Sequence, residues 1–148
     1  MLFLGSADRS LDDKGRLILP PEFRDAIREN VPEGYVVLTI YGNQVIGITP
    51  AQWEHAVNEF MSVKAPDKDM EEEMLLFTSC YAKAPVSKQG RIAIPATLRK
   101  YGRLEGNVTV MGAGRRFVIR PEGGIDELLS RKRDISAQLG ENNLNLKI

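Results

Sequence analysis

Nine residues near the start of the chain, Asp12-Asp13-Lys14-Gly15-Arg16-Leu17-Ile18-Leu19-Pro20, return 75 positions later as Ser87-Lys88-Gln89-Gly90-Arg91-Ile92-Ala93-Ile94-Pro95. In both copies an arginine stands four residues past the proline, at Arg24 and Arg99. A second correspondence follows, in which Tyr35 to Pro50 matches Asn107 to Pro121, each a pair of β-rich runs about a glycine turn. Internal repetition restricts a fold more than composition does, because each copy must find an equivalent place in it. The chain reads as one structural unit written twice.

At 148 residues it is long enough for one compact domain or for two small halves that share a core. No apolar run approaches the roughly 20 residues needed to cross a bilayer. The opening Met1-Leu2-Phe3-Leu4-Gly5 lacks the basic flank of a secretory signal and soon meets Asp8. The single cysteine, Cys80, excludes an internal disulfide framework and a cysteine-based zinc cluster. A cytoplasmic protein is expected. Net charge is zero, so any argument for a polyanionic partner has to rest on distribution. Lys83, Lys88, Arg91, Arg99, Lys100 and Arg103 fall in a stretch, 83 to 103, without Asp or Glu, directly after an acidic cluster of Asp67, Asp69, Glu71, Glu72 and Glu73. That segregation permits a basic face, although a run of charge is also what a plain solvated surface looks like.

Each repeated motif encodes a strand, a turn and a strand. Asp12 and Ser87 suit the first position of a type I turn, and Gly15 and Gly90 supply the left-handed residue that closes it. The strands Arg16 to Leu19 and Arg91 to Ile94 end at prolines suited to the first turn of a short helix. Phe23, Ala26 and Ile27 give that helix an apolar face, and Gly102 is expected to stop its counterpart. A second hairpin follows in each copy: Tyr35–Ile40 and Val45–Ile48 about Gly42-Asn43, then Val108–Met111 and Arg116–Ile119 about Gly112-Ala113-Gly114. Thr49-Pro50-Ala51-Gln52 opens a helix with a capping box, and its stripe is Trp53, Ala56, Val57, Phe60 and Met61. A comparable helix from near Pro121 would use Ile125, Leu128, Leu129, Ile135 and Leu139. A third helix, about Asp67 to Phe77, joins the halves, Cys80 falls at a strand start, and Gly140 to Ile148 reads as a frayed tail. The boundaries expected are 6–53 and 82–125 for the copies, 54–81 for a linker with the acidic helix, and 126–148 for a C-terminal helix and tail.

Neither copy could bury enough surface alone. The expected fold is α+β and mainly β: a closed or nearly closed barrel whose hairpins interleave about a pseudo-two-fold axis, with flanking helices.

Catalytic constellations are scarce. His55 lies on the polar side of its helix and Cys80 has no second histidine to activate it, so both read as structural. Gly112-Ala113-Gly114 joins two strands rather than opening a helix, which makes it a hairpin turn and not a nucleotide fingerprint. Three consecutive glutamates on a helix diverge and make a poor metal site. No enzyme, cofactor or metal is expected. The basic turns carry more. A rigid glycine-closed turn suits insertion into a groove, and Arg16 and Arg91 could meet guanine O6/N7 or a phosphate bidentately. Lys14, Lys88 and Gln89 lie at the tips and add phosphate or base contacts. Arg24 and Arg99 either contact phosphates or brace the turns. Against this, Arg16 could simply pair with Asp12 or Asp13 across its own turn.

The Asp-x-x-Gly-Arg turn, the apolar strand ending in proline, the duplication and the acidic helix between the copies resemble the MraZ family of bacterial transcription regulators, built from two SpoVT-AbrB swapped-hairpin units. The resemblance runs from about Gly5 to Leu129. It implies a duplicated swapped-hairpin (double-split) barrel, ring-shaped homo-oligomers and nucleoid-associated binding of double-stranded DNA. The implied DNA target is short direct repeats upstream of a cell-division and cell-wall operon. On the same resemblance Arg16 and Arg91 are the DNA-contacting arginines. The second motif departs from the family in opening on Ser87 rather than an acidic residue. Many turns on one rim would let modest contacts combine by effective concentration, which answers the zero net charge. A second reading keeps the ring but makes it a structural or protein-interaction module, docking through the Met70-Met74-Phe77 region without DNA.

Overall fold

The computed structural model describes residues 1–148. The first copy holds β1 (Ser6–Ser10), β2 (Arg16–Ile18), α1 (Pro21–Asn30), β3 (Tyr35–Tyr41) and β4 (Gln44–Ile48). Two helices follow, α2 (Pro50–Met61) and α3 (Lys68–Ser79). The second copy repeats the order as β5 (Ala82–Pro85), β6 (Arg91–Ala93), α4 (Ala96–Gly102), β7 (Asn107–Gly112) and β8 (Phe117–Pro121), and α5 (Gly124–Leu129) and α6 (Ser136–Glu141) end the chain. No helix is long and apolar enough to cross a membrane.

The two copies are interleaved. Six strands form an antiparallel sheet in the order β1-β7-β8-β4-β3-β5, and β2 pairs with β6 in a separate two-stranded ribbon. Exchanging each strand with its equivalent in the other copy reverses the six-strand order onto itself, which is the signature of a pseudo-two-fold axis. β1 lies on β7 of the other copy with Ser6 opposite Met111, and β5 lies on β3 with Leu38 opposite Ala82. The axis passes the Ile46–Val118 pair in the sheet and the Leu17–Ile92 pair in the ribbon.

β3 and β4 are apolar almost throughout because their half of the sheet is covered on both faces. Val36, Leu38 and Ile40 face the barrel interior, where they meet Leu17, Leu19, Ile92 and Ile94 of the ribbon. Phe3, Phe23 and Phe117 form an edge-on cluster there, with centroids 5.2 Å apart for Phe3–Phe23 and 5.1 Å for Phe3–Phe117. Val37, Ile46, Ile48 and Val118 face the other way, onto Phe77, Trp53 and Phe60 of α2 and α3. The buried Thr39 hydroxyl donates to the Phe77 carbonyl at 2.7 Å and anchors the end of α3.

Several local expectations need correcting. Pro20 and Pro95 occupy the N-cap positions of α1 and α4 rather than the first turn. Gly102 is the last residue of α4, and the left-handed residue after it is Arg103 at φ 55°. Gly102 is small for another reason: a Cβ there would lie 2.6 Å from Val45 Cγ2. Cys80 is the C-cap of α3, its N–H bonded to the Leu76 carbonyl, and β5 starts only at Ala82. The helix after β8 is two six-residue pieces, and Leu129 and Ile135 are 70% and 54% exposed. α2 and α3 cover β3, β4 and Val118, and the outward-facing pair of the second copy is Thr109 and Arg120, so no apolar face remains for that stripe. Met61 likewise drops out of the α2 stripe at 73% exposure, whereas the Thr49 capping box is formed. Phe77, assigned above to a docking face, is buried and stacks on Trp53 with centroids 4.7 Å apart.

Candidate nucleic-acid interface

The two turns have the same backbone. In the first, Gly15 N–H donates to the Asp12 carbonyl at 3.0 Å and Asp12 N–H to the Arg16 carbonyl at 3.0 Å. In the second, Gly90 donates to Ser87 at 2.9 Å and Ser87 to Arg91 at 3.1 Å. Gly15 has φ 74° and Gly90 φ 84°, values that cost a side-chain-bearing residue steric strain. The first side chain of each turn reaches over to accept the arginine N–H: Asp12 Oδ1 from Arg16 and Ser87 Oγ from Arg91, both at 2.9 Å. A hydroxyl thus replaces a carboxylate without changing the turn.

Electrostatics differ more than geometry. Asp12 also accepts from the Lys14 N–H at 2.9 Å and from Arg16 Nε at 2.7 Å. The Arg16 backbone N–H is the largest influence holding the Asp12 carboxyl below its usual value, with the Arg16 side chain and the Lys14 N–H adding to it. The Asp12–Arg16 pair is well exposed, so it contributes little stability. It does orient the guanidinium, and it engages Nε only, leaving both terminal amino groups without a partner in the chain. Arg91 has no side-chain partner at all and is exposed.

Pairing of β2 with β6 brings the two arginines together. Arg16 stands opposite Ala93 and Ile18 opposite Arg91. Leu17 and Ile92 turn into the core, so Arg16, Ile18, Arg91 and Ala93 share the outer face of the ribbon. Arg16 and Arg91 are diagonal neighbours there, about 7–8 Å apart across the axis. Lys14, Lys88 and Gln89 are exposed at the tips of the turns that flank the ribbon.

Arg24 and Arg99 are not on that face. Both are half-buried, and each packs against a turn glycine: the Arg24 stem against Gly90, and the Arg99 side chain against Gly15. Arg99 Nε donates to the Ile94 carbonyl at 3.0 Å, and Arg24 Nε lies 3.1 Å from Asp25. Two basic residues were missed in the sequence. Arg28 Nη2 donates to the Lys88 carbonyl at 2.8 Å, and Arg9 Nε to the Ile18 carbonyl at 2.8 Å. Lys83, counted above toward a basic face, sits over the Tyr35 ring at 4.2 Å. The 75-residue offset that pairs Arg24 with Arg99 also pairs Arg28 with Arg103, and was the one signal available for it. Elsewhere, no group of three His, Cys, Asp or Glu side chains is arranged to hold a metal, and His55 is exposed beside Glu59.

Residues 2–77 and 86–144 match the profile of the MraZ protein family. A Maridesulfovibrio salexigens protein named Transcriptional regulator MraZ is 38% identical over 142 residues, 95% of either chain. Its namesake in Oleidesulfovibrio alaskensis is 34% identical over the full length of both. That of Clavibacter michiganensis is 36% identical over 141 residues, again 95% of each chain.

Proposed function

This chain belongs to the MraZ family, and from that premise we propose that it is a DNA-binding transcription regulator whose β2–β6 ribbon is the reading element. The observation that carries the proposal is the outer face of that ribbon, where Arg16 and Arg91 are diagonal neighbours between turns that expose Lys14 and Lys88. The major groove admits a two-stranded ribbon, and an arginine fork fits guanine O6/N7. A separation of about 7–8 Å spans roughly two base steps of 3.4 Å. Lys14, Lys88 and Gln89 would then meet the backbone on either side and set the depth of insertion.

One ribbon offers too few phosphate contacts for tight binding by a neutral protein. The reading therefore includes a ring-shaped homo-oligomer that presents several ribbons along one DNA. Rotational symmetry repeats them in one sense, which favours direct repeats over palindromes. The cytoplasm, at the nucleoid, is the natural place for such a protein. Its proposed targets are repeats upstream of its own cell-division and cell-wall operon.

The test is a titration of that upstream DNA with the parent chain and with Arg16→Ala, Arg91→Ala and the double variant. An arginine that reads a guanine should cost about 1–3 kcal/mol per engaged site and relax preference at that base. One that holds a phosphate should weaken all sequences and lower the salt slope by about 0.9 per lost contact. Parent-like affinity in a folded double variant removes the ribbon from recognition.

A further inference from the structure

The packing of Arg24 and Arg99 crosses between the copies. Arg99 belongs to α4 of the second copy and covers Gly15 of the first; Arg24 belongs to α1 of the first and covers Gly90 of the second. A Cβ at Gly15 would lie 2.7 Å from Arg99 Cζ, and one at Gly90 3.2 Å from Arg24 Cβ. Both glycines are buried beneath these side chains although they sit in surface turns. The main chain crosses in the same way: Ile94 N–H donates to the Gly15 carbonyl at 2.9 Å and Leu19 N–H to the Gly90 carbonyl at 2.8 Å. Arg99 then closes a loop of contacts, because its Nε binds the carbonyl of Ile94, the residue whose N–H holds Gly15.

The braces are equivalent but unequal. The first turn has the Asp12–Arg16 pair of its own and one arginine from across. The second lacks the carboxylate and receives two, the Arg24 stem and the Arg28 bond to Lys88. Arg103, the equivalent of Arg28, caps α4 instead and makes no side-chain bond.

We propose that Arg24 and Arg99 are positioning residues for DNA reading that act across the pseudo-two-fold, each fixing the tip and reading arginine of the opposite copy. This rests on the DNA-binding reading above. A loosely held tip would let the reading arginine wander from its base edge, and binding geometry tolerates only small displacements. The arginines thus work on affinity without touching DNA.

Two measurements test it. The first, amide hydrogen exchange, involves no DNA. Arg99→Ala should speed exchange by roughly tenfold at Gly15 and Ile94 while sparing Gly90 and Leu19, the scale expected for losing one hydrogen bond to a charged group. Arg24→Ala should give the mirror pattern, weaker because Arg24 packs by its stem while its Nε binds Asp25, and because Arg28 still holds Lys88. Loosening of the turn in the variant's own copy, or an even change everywhere, overturns the proposal. The second uses Arg99→Lys, which keeps the charge and most of the stem but loses the Nε bond. Positioning predicts operator binding weaker by about tenfold at an unchanged salt slope. It also predicts non-additivity with Arg16→Ala and additivity with Arg91→Ala. A lysine variant that binds like the parent, paired with an alanine variant whose slope drops by about 0.9, marks a phosphate contact and overturns it. Crossed exchange effects in a parent chain that binds no DNA would sink the regulator reading and leave the brace standing.

Discussion

Gly15 and Gly34 allow the crossed brace to be weighed by thermal stability. Their φ angles are nearly identical, at 74° and 76°. A methyl group at Gly34 meets nothing within 4 Å, whereas one at Gly15 would fall on the Arg99 guanidinium. Gly34→Ala should therefore cost only the left-handed strain, about 1–2 kcal/mol. Gly15→Ala carries the same strain and must also displace Arg99 from the Ile94 carbonyl. A hydrogen bond from a charged donor contributes about 1.5–3 kcal/mol, less here because Arg99 is partly solvated, so a further ~1–2 kcal/mol is expected. A chain of this size loses about 2–4 °C of Tm per kcal/mol, which places Gly15→Ala roughly 2–8 °C below Gly34→Ala. Melts must be compared at one protein concentration, since assembly shifts Tm by mass action. In an Arg99→Ala background the gap should close. Equal melting of the two glycine variants, or a gap that survives without Arg99, would refute the packing argument.

Four other outcomes are expected. Asp12 is held below its usual value of 3.8 in the fold, so its contribution is complete above that value and is lost as pH falls through the lower folded one. Acid melts below about pH 4 should accordingly cost the parent more than Asp12→Ser, which copies the non-titrating second turn. Thr39→Val leaves the Phe77 carbonyl without its donor and should cost about 1–3 kcal/mol by urea unfolding. Gly47→Ala drives a methyl into the Phe117 ring, and overpacking of about 1–3 kcal/mol or more should appear as a lowered midpoint. Light scattering at micromolar concentration should return a multiple of 16.5 kDa, and a monomer would exclude the ring.

The elements were largely legible in the residues, and the connections between them were not. Gly42-Asn43 marked its hairpin, and both residues do take positive φ. Thr49 and Gln52 marked the start of α2 through a capping box that the structure forms. Similarity between copies, however, makes β1 an equally good match for β3 beside it and for the equivalent β7, which starts 72 residues on (107 − 35). Local pattern does not choose between them, and the expectation of interleaved hairpins rested instead on burial, since neither copy could cover its own strands alone. The arginines show the same limit. Arg24 and Arg99 could be seen to recur, but their targets are glycines of the other copy, and only the folded chain brings those together. The break between α5 and α6 was hidden for a related reason: an apolar stripe announces a helix only where a surface remains to receive it.

The pairing of β1 with β7 also has a consequence in time. Ser6 meets Met111, so the first strand to leave the ribosome has no partner until about 100 residues more have been translated, roughly 5–20 s at ordinary elongation rates. For that interval both edges of the nascent strand are open. Its sequence, Ser6-Ala7-Asp8-Arg9-Ser10, contains no large apolar residue and both signs of charge, which makes it a poor template for neighbouring nascent chains on the same messenger. β3, apolar except for Thr39, sits where it cannot be left waiting: β4 follows it after a two-residue turn and covers one edge at once. The hydrophobic strands are synthesised next to their partners, and the long delay falls on the strand whose composition tolerates it.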